Sequence, residues 1–173
     1  MGSYRKKAFG FTMVELIITI AVLGALGVMA YAAVQNSLAS FRLDAASAKL
    51  MNDIRFAQHL ARTRNGWFGV ALQGNPVNQY IVYETNGSAD VAVPDPLNSA
   101  NTLVIEVDDE YAGTIISAVN IEGGNKVEFN AMGVPYTDML LAPIIAPGII
   151  TLNQGGTIRN IRIYPDTGLV EEQ

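Results

Sequence analysis

The sequence contains no cysteine and only one histidine, His59, among its 173 residues. The absence of cysteine excludes a disulfide framework, thiolate catalysis and Cys-ligated zinc or iron–sulfur sites. One histidine is too few for a His-based metal site, and no nucleophile–base pattern accompanies it. Charged residues make up only 16% of the chain, below the quarter typical of soluble domains, while 50% of residues are hydrophobic. These shortages predict a protein that is not an enzyme and that has a membrane segment or a large buried fraction.

Basic residues are distributed unevenly in this acidic chain, whose formal net charge is −5. Three of its 11 basic residues, Arg5, Lys6 and Lys7, form a cluster that precedes the first acid, Glu15. The rest of the chain is therefore strongly acidic. This disfavours general binding of nucleic acid, because attraction to phosphate dominates such affinity.

A run of 19 residues without a charged side chain, 16–34, follows the cluster. With Phe11 as its start, an apolar helix over 11–34 would be about 36 Å long, enough to cross a hydrocarbon core of about 30 Å. The positive-inside rule then places residues 1–10 in the cytoplasm and exports the rest. Glu15 is anomalous here, because a carboxylate at mid-bilayer costs about 2.5–3.5 kcal/mol on insertion scales and needs a positive partner.

Two interpretations of this segment invoke general signals. Thr12-Met13-Val14-Glu15 fits the S/T-x-x-E capping box that starts a helix, but a capping box leaves the basic cluster unexplained. An ordinary secretory signal peptide would end near the small-residue site Ala30-Tyr31-Ala32 and release a soluble secreted β-domain. Glu15 fits such a signal peptide poorly.

The third interpretation is a resemblance. The basic cluster, the run Gly10-Phe11-Thr12-Met13-Val14-Glu15-Leu16 and the apolar stretch resemble the class III leader of type IV pilins and pseudopilins. The resemblance implies that a prepilin peptidase cuts after Gly10 and methylates the new amino terminus at Phe11. It also implies that Glu15 neutralises the Phe11 amine of a neighbouring subunit, and a buried charge is tolerated when it is paired. The capping box is compatible with this interpretation.

Beyond residue 34 the apolar residues follow the pattern of an amphipathic helix. One stripe recurs at steps of three and four, with charged residues such as Asp53 mostly off it; the stripe comprises Leu43, Ser47, Leu50, Ile54, Ala57 and Ala61. Asn65-Gly66 predicts the end of the helix, with arginines suited to its last turn. We expect a nearly continuous helix from about Phe11 to Arg64, whose second part (35–66) packs on a head formed by residues 67–173.

From Trp67 onward, short alternating runs replace the helical period and predict strands. Gly123-Gly124-Asn125 predicts a hairpin between runs 115–121 and 126–130, and Asp166-Thr167-Gly168 predicts a return of the chain after Tyr164. Residues 91–102, which include two prolines, are expected to form a surface loop. The predicted fold class is α+β: a long N-terminal helix, transmembrane in its first half, packed on an antiparallel head of one or two sheets.

Three motifs in the second part of the chain resemble the GspH/FimT type of minor pseudopilin: Asp53-Ile54-Arg55-x-Ala57 with Ala61-Arg62, Val127-Glu128-Phe129-x-x-x-Gly133-x-Pro135, and Asp166-x-Gly168-x-Val170. The resemblance implies a minor subunit of a type II secretion pseudopilus or a type IV pilus. Such a subunit would cross the inner (cytoplasmic) membrane once, with a periplasmic head. Its partners would be other pilins or pseudopilins, the prepilin peptidase, the inner-membrane assembly platform and membrane lipid. No cofactor is implied.

Two further groups of residues are candidates for binding sites. Asp108-Asp109-Glu110 could hold calcium, but consecutive carboxylates without EF-hand spacing favour a solvated turn, and no metal site is predicted. Some FimT-like competence pilins bind DNA through arginines in their carboxyl-terminal region, where this chain has Arg159 and Arg162. Their spacing of three points them to opposite faces of a strand unless a bulge intervenes. A DNA-binding minor pilin for DNA uptake is therefore an alternative function, with nucleic acid disfavoured as a partner.

Overall fold

Helix α1 runs from Met13 to Arg64 in the computed structural model, which describes residues 11–173. Asn65, the residue after the helix, has a φ of +52°, the left-handed conformation that asparagine tolerates at a helix C-terminus. The chain divides after Leu38 into two units, and α1 contributes residues to both. The expectation of a single long helix is confirmed.

The head contains ten strands and one short helix. In chain order the elements are β1 Trp67–Gln73, β2 Gln79–Thr85, β3 Asp90–Ala92, β4 Val104–Glu106, α2 Val107–Glu110, β5 Ile115–Asn120, β6 Lys126–Phe129, β7 Pro135–Tyr136, β8 Gly148–Gln154, β9 Thr157–Ile163 and β10 Val170–Glu172. Every strand pair is antiparallel. These strands form two sheets, so the two-sheet form of the predicted head is the one observed.

The first sheet has the order β3-β2-β1-β6-β7, and β4 also pairs with β2. β1 and β2 form a hairpin in continuous register, from Trp67 opposite Thr85 to Gln73 opposite Gln79. β3 pairs with the last residues of β2 and β4 with its first residues. β4 therefore carries Glu106 to the end of the sheet where the β1–β2 hairpin closes.

The second sheet has the order β10-β9-β8-β5. β8 and β9 pair over their whole length, and the chain returns from β9 to β10 through the turn at Asp166-Thr167-Gly168. A register shift interrupts only the β5–β8 pair, between Ile116 and Ala118. The antiparallel pairing of β9 with β10 confirms the predicted return of the chain after Tyr164.

One cluster of buried apolar side chains joins the C-terminal part of α1 to both sheets. All six residues of the predicted helical stripe are at most 1% exposed, Ser47 included. In β1, Phe68, Val70 and Leu72 are fully buried at alternate positions, as the period of two predicts. Burial of such apolar surface is the main term that stabilises the head.

The structure differs from the sequence-based expectations at three places. The runs before and after Gly123-Gly124 do not form a hairpin, because β5 pairs with β8 in the second sheet while β6 pairs with β1 in the first. Within the expected surface loop 91–102, Val93 is 4% exposed and follows strand β3, so the loop begins only after it. The acidic run 108–110 lies on helix α2 instead of a turn.

Candidate assembly site

The first turn of α1 is capped by Thr12, which is one half of the predicted capping box; no hydrogen bond from the Thr12 N–H to the Glu15 carboxylate is present among residues 11–173. The backbone N–H of Glu15 donates to Oγ1 of Thr12 at 3.2 Å, and the N–H of Leu16 donates to the carbonyl oxygen of Thr12. Thr12 is therefore the N-cap residue, and Glu15 occupies the third helical position. An acidic side chain in the first turn also interacts favourably with the positive end of the helix dipole.

The Glu15 side chain is exposed on an otherwise apolar helical segment. Among residues 11–173 its carboxylate takes part in no hydrogen bond and no ion pair. Phe11, which precedes the helix, is 77% exposed. In an apolar environment a carboxylate is costly unless a cationic group pairs with it.

The apolar segment that follows has no covering protein surface in the N-terminal unit. Its most apolar 18-residue stretch has a mean hydropathy of 2.3 and none of it is buried, which makes α1 long and apolar enough to cross a membrane. Gly24 and Gly27 do not interrupt the helix, and no atom other than the adjacent residues and the helix's own nearby backbone lies within 4 Å of where their Cβ atoms would be. This face can pack against lipid or against similar helices.

The predicted processing signals are divided between described and undescribed residues. Phe11 and Glu15 lie within the described residues, at the start of α1. Gly10 and the basic cluster Arg5-Lys6-Lys7 lie outside them. Their roles in cleavage and orientation therefore stay predictions.

In the head, residues in and beside the three motifs form a clasp between α1 and turns of the two sheets. Gln58 Nε2 donates at 2.8 Å both to the carbonyl oxygen of Gly133, which precedes β7, and to that of Thr167, which precedes β10. Arg62 donates through Nε to Met132 O at 3.2 Å. Gln58 lies between the residues of the helix motif. Its contacts with the two turns could not be predicted from the sequence, because the helical period shows only that Gln58 lies beside the apolar stripe.

Asp53 is buried, although it is not one of the residues of the predicted apolar stripe. It is 7% exposed, accepts a hydrogen bond from the Tyr80 hydroxyl at 2.7 Å and pairs with Lys49 one helical turn earlier. Burial, and then the nearby Asp53 charge, raise the pKa of Tyr80 well above its ordinary value. This tyrosine therefore stays protonated and ties β2 to α1.

A second buried carboxylate, Glu128, organises one edge of the first sheet. It is 1% exposed and accepts from the Tyr83 hydroxyl at 2.7 Å, from Lys126 Nζ at 2.9 Å and from the Met139 N–H at 2.6 Å. Burial, followed by the Glu128 hydrogen bond, raises the pKa of Tyr83 well above its ordinary value. Lys126 also pairs with Asp138 at 2.7 Å. These contacts give the Val127-Glu128-Phe129 motif a structural role.

The two arginines of the DNA-binding alternative have different surroundings. Arg159 pairs with Asp44 on α1 at 2.8 Å and with Glu172 on β10 at 3.1 Å. Arg162 forms no ion pair among residues 11–173, and its buried Nε has no hydrogen-bond partner there. β9 has no bulge in its pairing with β8, so the two side chains alternate to opposite faces. Arg159 would have to exchange its carboxylate partners for phosphate, and the two arginines do not share one face.

The acidic run carries no feature of a metal centre. Asp108, Asp109 and Glu110 are exposed on α2, and Asp108 accepts a hydrogen bond from the Gly113 N–H at 2.6 Å. Within residues 11–173, no group of three or more His, Asp or Glu side chains converges in a way that could hold a metal ion. His59 is exposed on α1.

Comparisons with known proteins found similarity in the N-terminal segment and in the fold. Residues 5–31 match the prokaryotic N-terminal methylation motif. The fold is similar to that of the type IV minor pilin FimU of Pseudomonas aeruginosa, with 12% identity, a TM-score of 0.53 and coverage of 76% of this chain and 87% of that chain. It is also similar to the minor pseudopilin EpsH from the type 2 secretion system of Vibrio cholerae, with 9% identity, a TM-score of 0.53 and coverage of 76% and 96%. No curated protein matches the sequence.

Proposed function

We propose that this chain, which carries an N-terminal methylation motif and a pilin-like fold, is a minor pilin or pseudopilin. Its task would be structural: it is a subunit that assembles through its N-terminal helix into a pseudopilus or a type IV pilus. The observation that carries the proposal is the methylation motif over residues 5–31, joined to a helix that continues into a two-sheet head. The GspH/FimT type and the type II secretion pseudopilus stay the preferred assignment.

In this proposal a prepilin peptidase cleaves after Gly10 and methylates the amine of Phe11. The Arg5-Lys6-Lys7 cluster keeps the leader in the cytoplasm, and the head is exported to the periplasm. Glu15 then pairs with the Phe11 amine of a neighbouring subunit. This role is supported by the exposed Glu15 carboxylate, which has no partner among residues 11–173.

Assembly would transfer an apolar helix from lipid to other such helices. The segment is too apolar to leave the membrane alone, so burial against neighbouring helices must offset its extraction by the inner-membrane assembly platform. The charge pair would set the register of the helices, because only one axial position brings the carboxylate to the amine. This division of roles requires no catalytic group in the head.

The decisive experiment is the intact mass and amino-terminal sequence of the mature protein from its native cell. We expect a chain that begins at N-methylated Phe11. A matched variant, Gly10→Val, should stay unprocessed because the glycine must fit a protease subsite. A mature start near residue 33 would instead identify a secreted soluble domain and remove the assembly function.

A further inference from the structure

The hairpin loop between β2 and β3, residues 86–89, carries a motif that the proposed assembly does not use. Of the 13 asparagines in the chain, only Asn86 is followed two residues later by serine or threonine, here Ser88, and the residue between them is not proline. This spacing is the acceptor motif for N-linked glycosylation of exported proteins. Glu84, two residues before Asn86, extends the motif to the form that bacterial oligosaccharyltransferases accept. Acids occupy 16 of the 173 positions, so chance alone would place one there in about one case in ten.

The three side chains of the motif are exposed and are not engaged by the described part of the chain. Glu84, Asn86 and Ser88 all lie on the surface. Within residues 11–173 the Glu84 carboxylate forms no ion pair, the Asn86 Nδ2 atom donates no hydrogen bond, and the Ser88 hydroxyl forms none. Glu84 and Asn86 line the same depression of about 290 Å³, so one enzyme surface can contact both.

The loop can change its conformation without opening the first sheet. Asn86 Oδ1 accepts hydrogen bonds from the N–H groups of Ser88 and Ala89, both at 2.9 Å. The remaining hydrogen bonds of the loop also stay within residues 85–89. β3 is an edge strand of the first sheet, which leaves the loop open on that side. An exposed loop tip of this kind gives a modifying enzyme access to a folded domain.

We propose that Asn86 is the acceptor of an N-linked oligosaccharide, which a membrane-bound oligosaccharyltransferase attaches to Nδ2. The donor is an oligosaccharide linked to a lipid diphosphate. Nδ2 attacks C1 of the first sugar, the bond from C1 to the diphosphate oxygen breaks, and the lipid diphosphate leaves with the electron pair. Nδ2 loses one proton to a base of the transferase as the new C1–N bond forms. The Ser88 hydroxyl hydrogen-bonds to the enzyme, and Glu84 pairs with a cationic group there.

This modification rests on the proposed function, because export of the head brings Asn86 to the side of the membrane where oligosaccharides are transferred. The donor lipid lies in the membrane in which the proposed function anchors this chain. The inference goes beyond assembly, since it assigns a covalent modification to the head.

An oligosaccharide at Asn86 would also protect the free edge of the first sheet. β3 lies at this edge, and Val91 on the strand is 64% exposed. The unpaired backbone groups of an edge strand are a template for pairing with another chain, and a bulky hydrophilic group beside them prevents that contact. Contacts with neighbouring subunits would then use other sides of the head.

Mass spectrometry of the mature full-length protein from its native cell tests the modification. After proteolysis, the peptide that contains Asn86 should carry the mass of an oligosaccharide, which fragmentation localises to this residue. Asn98 is the internal control and should be unmodified: it is exposed and accepts the N–H of Ala100 through Oδ1, but it lacks a hydroxyl two residues later. An unmodified Asn86, or one whose amide has only hydrolysed to a carboxylate, would overturn the proposal.

Variants of the exposed motif residues test its chemistry. Asn86→Gln should abolish the modification. Ser88→Ala should lower the modified fraction at least about tenfold, because a site built to bind a hydroxyl rejects a chain that lacks it, whereas Ser88→Thr should retain the modification. Ser88→Ala keeps every hydrogen bond of the loop, since the hydroxyl makes none within residues 11–173, so misfolding does not explain its loss.

The acid is tested in the same way. Glu84→Gln removes the charge at nearly constant shape and should also lower the modified fraction, whereas Glu84→Asp should retain it. Modification of Glu84→Gln and Ser88→Ala at the level of the unaltered chain would contradict the motif. An oligosaccharide that persists in Asn86→Gln would place the modification on another residue and overturn the assignment.

The amino-terminal sequence of the same samples separates this inference from the proposed function. A methylated Phe11 start with an unmodified Asn86 would overturn the glycosylation and leave the assembly function in place. An oligosaccharide at Asn86 on a chain that starts near residue 33 would support the glycosylation and remove the assembly function.

Discussion

The clasp between α1 and the two sheets predicts an unusually large effect for a small substitution, Gly168→Ala. Gly168 has a φ of +64°, and a Cβ atom there would lie 2.9 Å from the Gly133 carbonyl oxygen and 3.0 Å from a ring carbon of Phe129. It would also overlap Gln58 Nε2, the atom that donates to Gly133 and Thr167. The added methyl group must therefore displace the clasp.

The magnitude follows from two terms. The left-handed conformation costs about 1–2 kcal/mol for a residue with a Cβ atom. Displacement of Gln58 removes two hydrogen bonds, each worth about 0.5–1.5 kcal/mol net. The free energy of unfolding should therefore fall by about 2–5 kcal/mol, a large fraction of the stability of a small domain.

Gly155→Ala is the matched control, because Gly155 has a φ of +59° but no atom within 4 Å of its Cβ position. It carries the backbone term without the clash, and should cost only about 1–2 kcal/mol. Urea unfolding of the full-length chain in detergent, followed by the fluorescence of Trp67, measures both. Gln58→Ala should reduce the additional cost of Gly168→Ala, since the displaced side chain is then absent. Equal losses for the two alanine variants would refute the clasp.

Three further predictions concern single carboxylates and their partners. Glu15→Val should leave membrane insertion intact but reduce incorporation into filaments, measured in sheared filament fractions; normal incorporation would contradict the charge pairing. Tyr83→Phe should lower the free energy of unfolding by about 1.5–3 kcal/mol, the value of a hydrogen bond to a charged group, because Glu128 loses a donor; a loss below about 0.5 kcal/mol would contradict this role. Hydrogen bonds from Lys126 and from the Leu140 N–H hold the pKa of Asp138 below its ordinary value of 3.8. Its stabilising contribution is therefore present above pH 3.8 and lost as pH falls through the lowered pKa, so Asp138→Asn should flatten the acid limb of a stability–pH curve.

The long helix could be predicted because its signals are local. Uncharged residues over 16–34, a cap at Thr12 and a stop at Asn65 act within a few residues of where they occur. The stripe from Leu43 to Ala61 also predicted which face is buried, since the helical period alone decides which side chains align.

The pairing of strands could not be predicted with equal success. Gly123-Gly124 has the composition of a hairpin loop, yet β5 and β6 belong to different sheets. A glycine turn permits a reversal but does not choose the partner strand, which depends on contacts with residues far along the chain. Strand β9 and the return to β10 were predictable because their pairing is between neighbours in sequence.

The sequence by itself determined the apolar helix, its charged start and the alternation of the strands, because each depends on the order of neighbouring residues. Only the tertiary structure decided that Gln58 joins turns of the two sheets, that Asp53 and Glu128 are buried with tyrosine partners, and that Arg159 pairs with Asp44 on α1. These contacts join residues 27 to 115 positions apart. Burial and hydrogen bonding at such separations follow from the packing of the helix on both sheets, which no local pattern specifies.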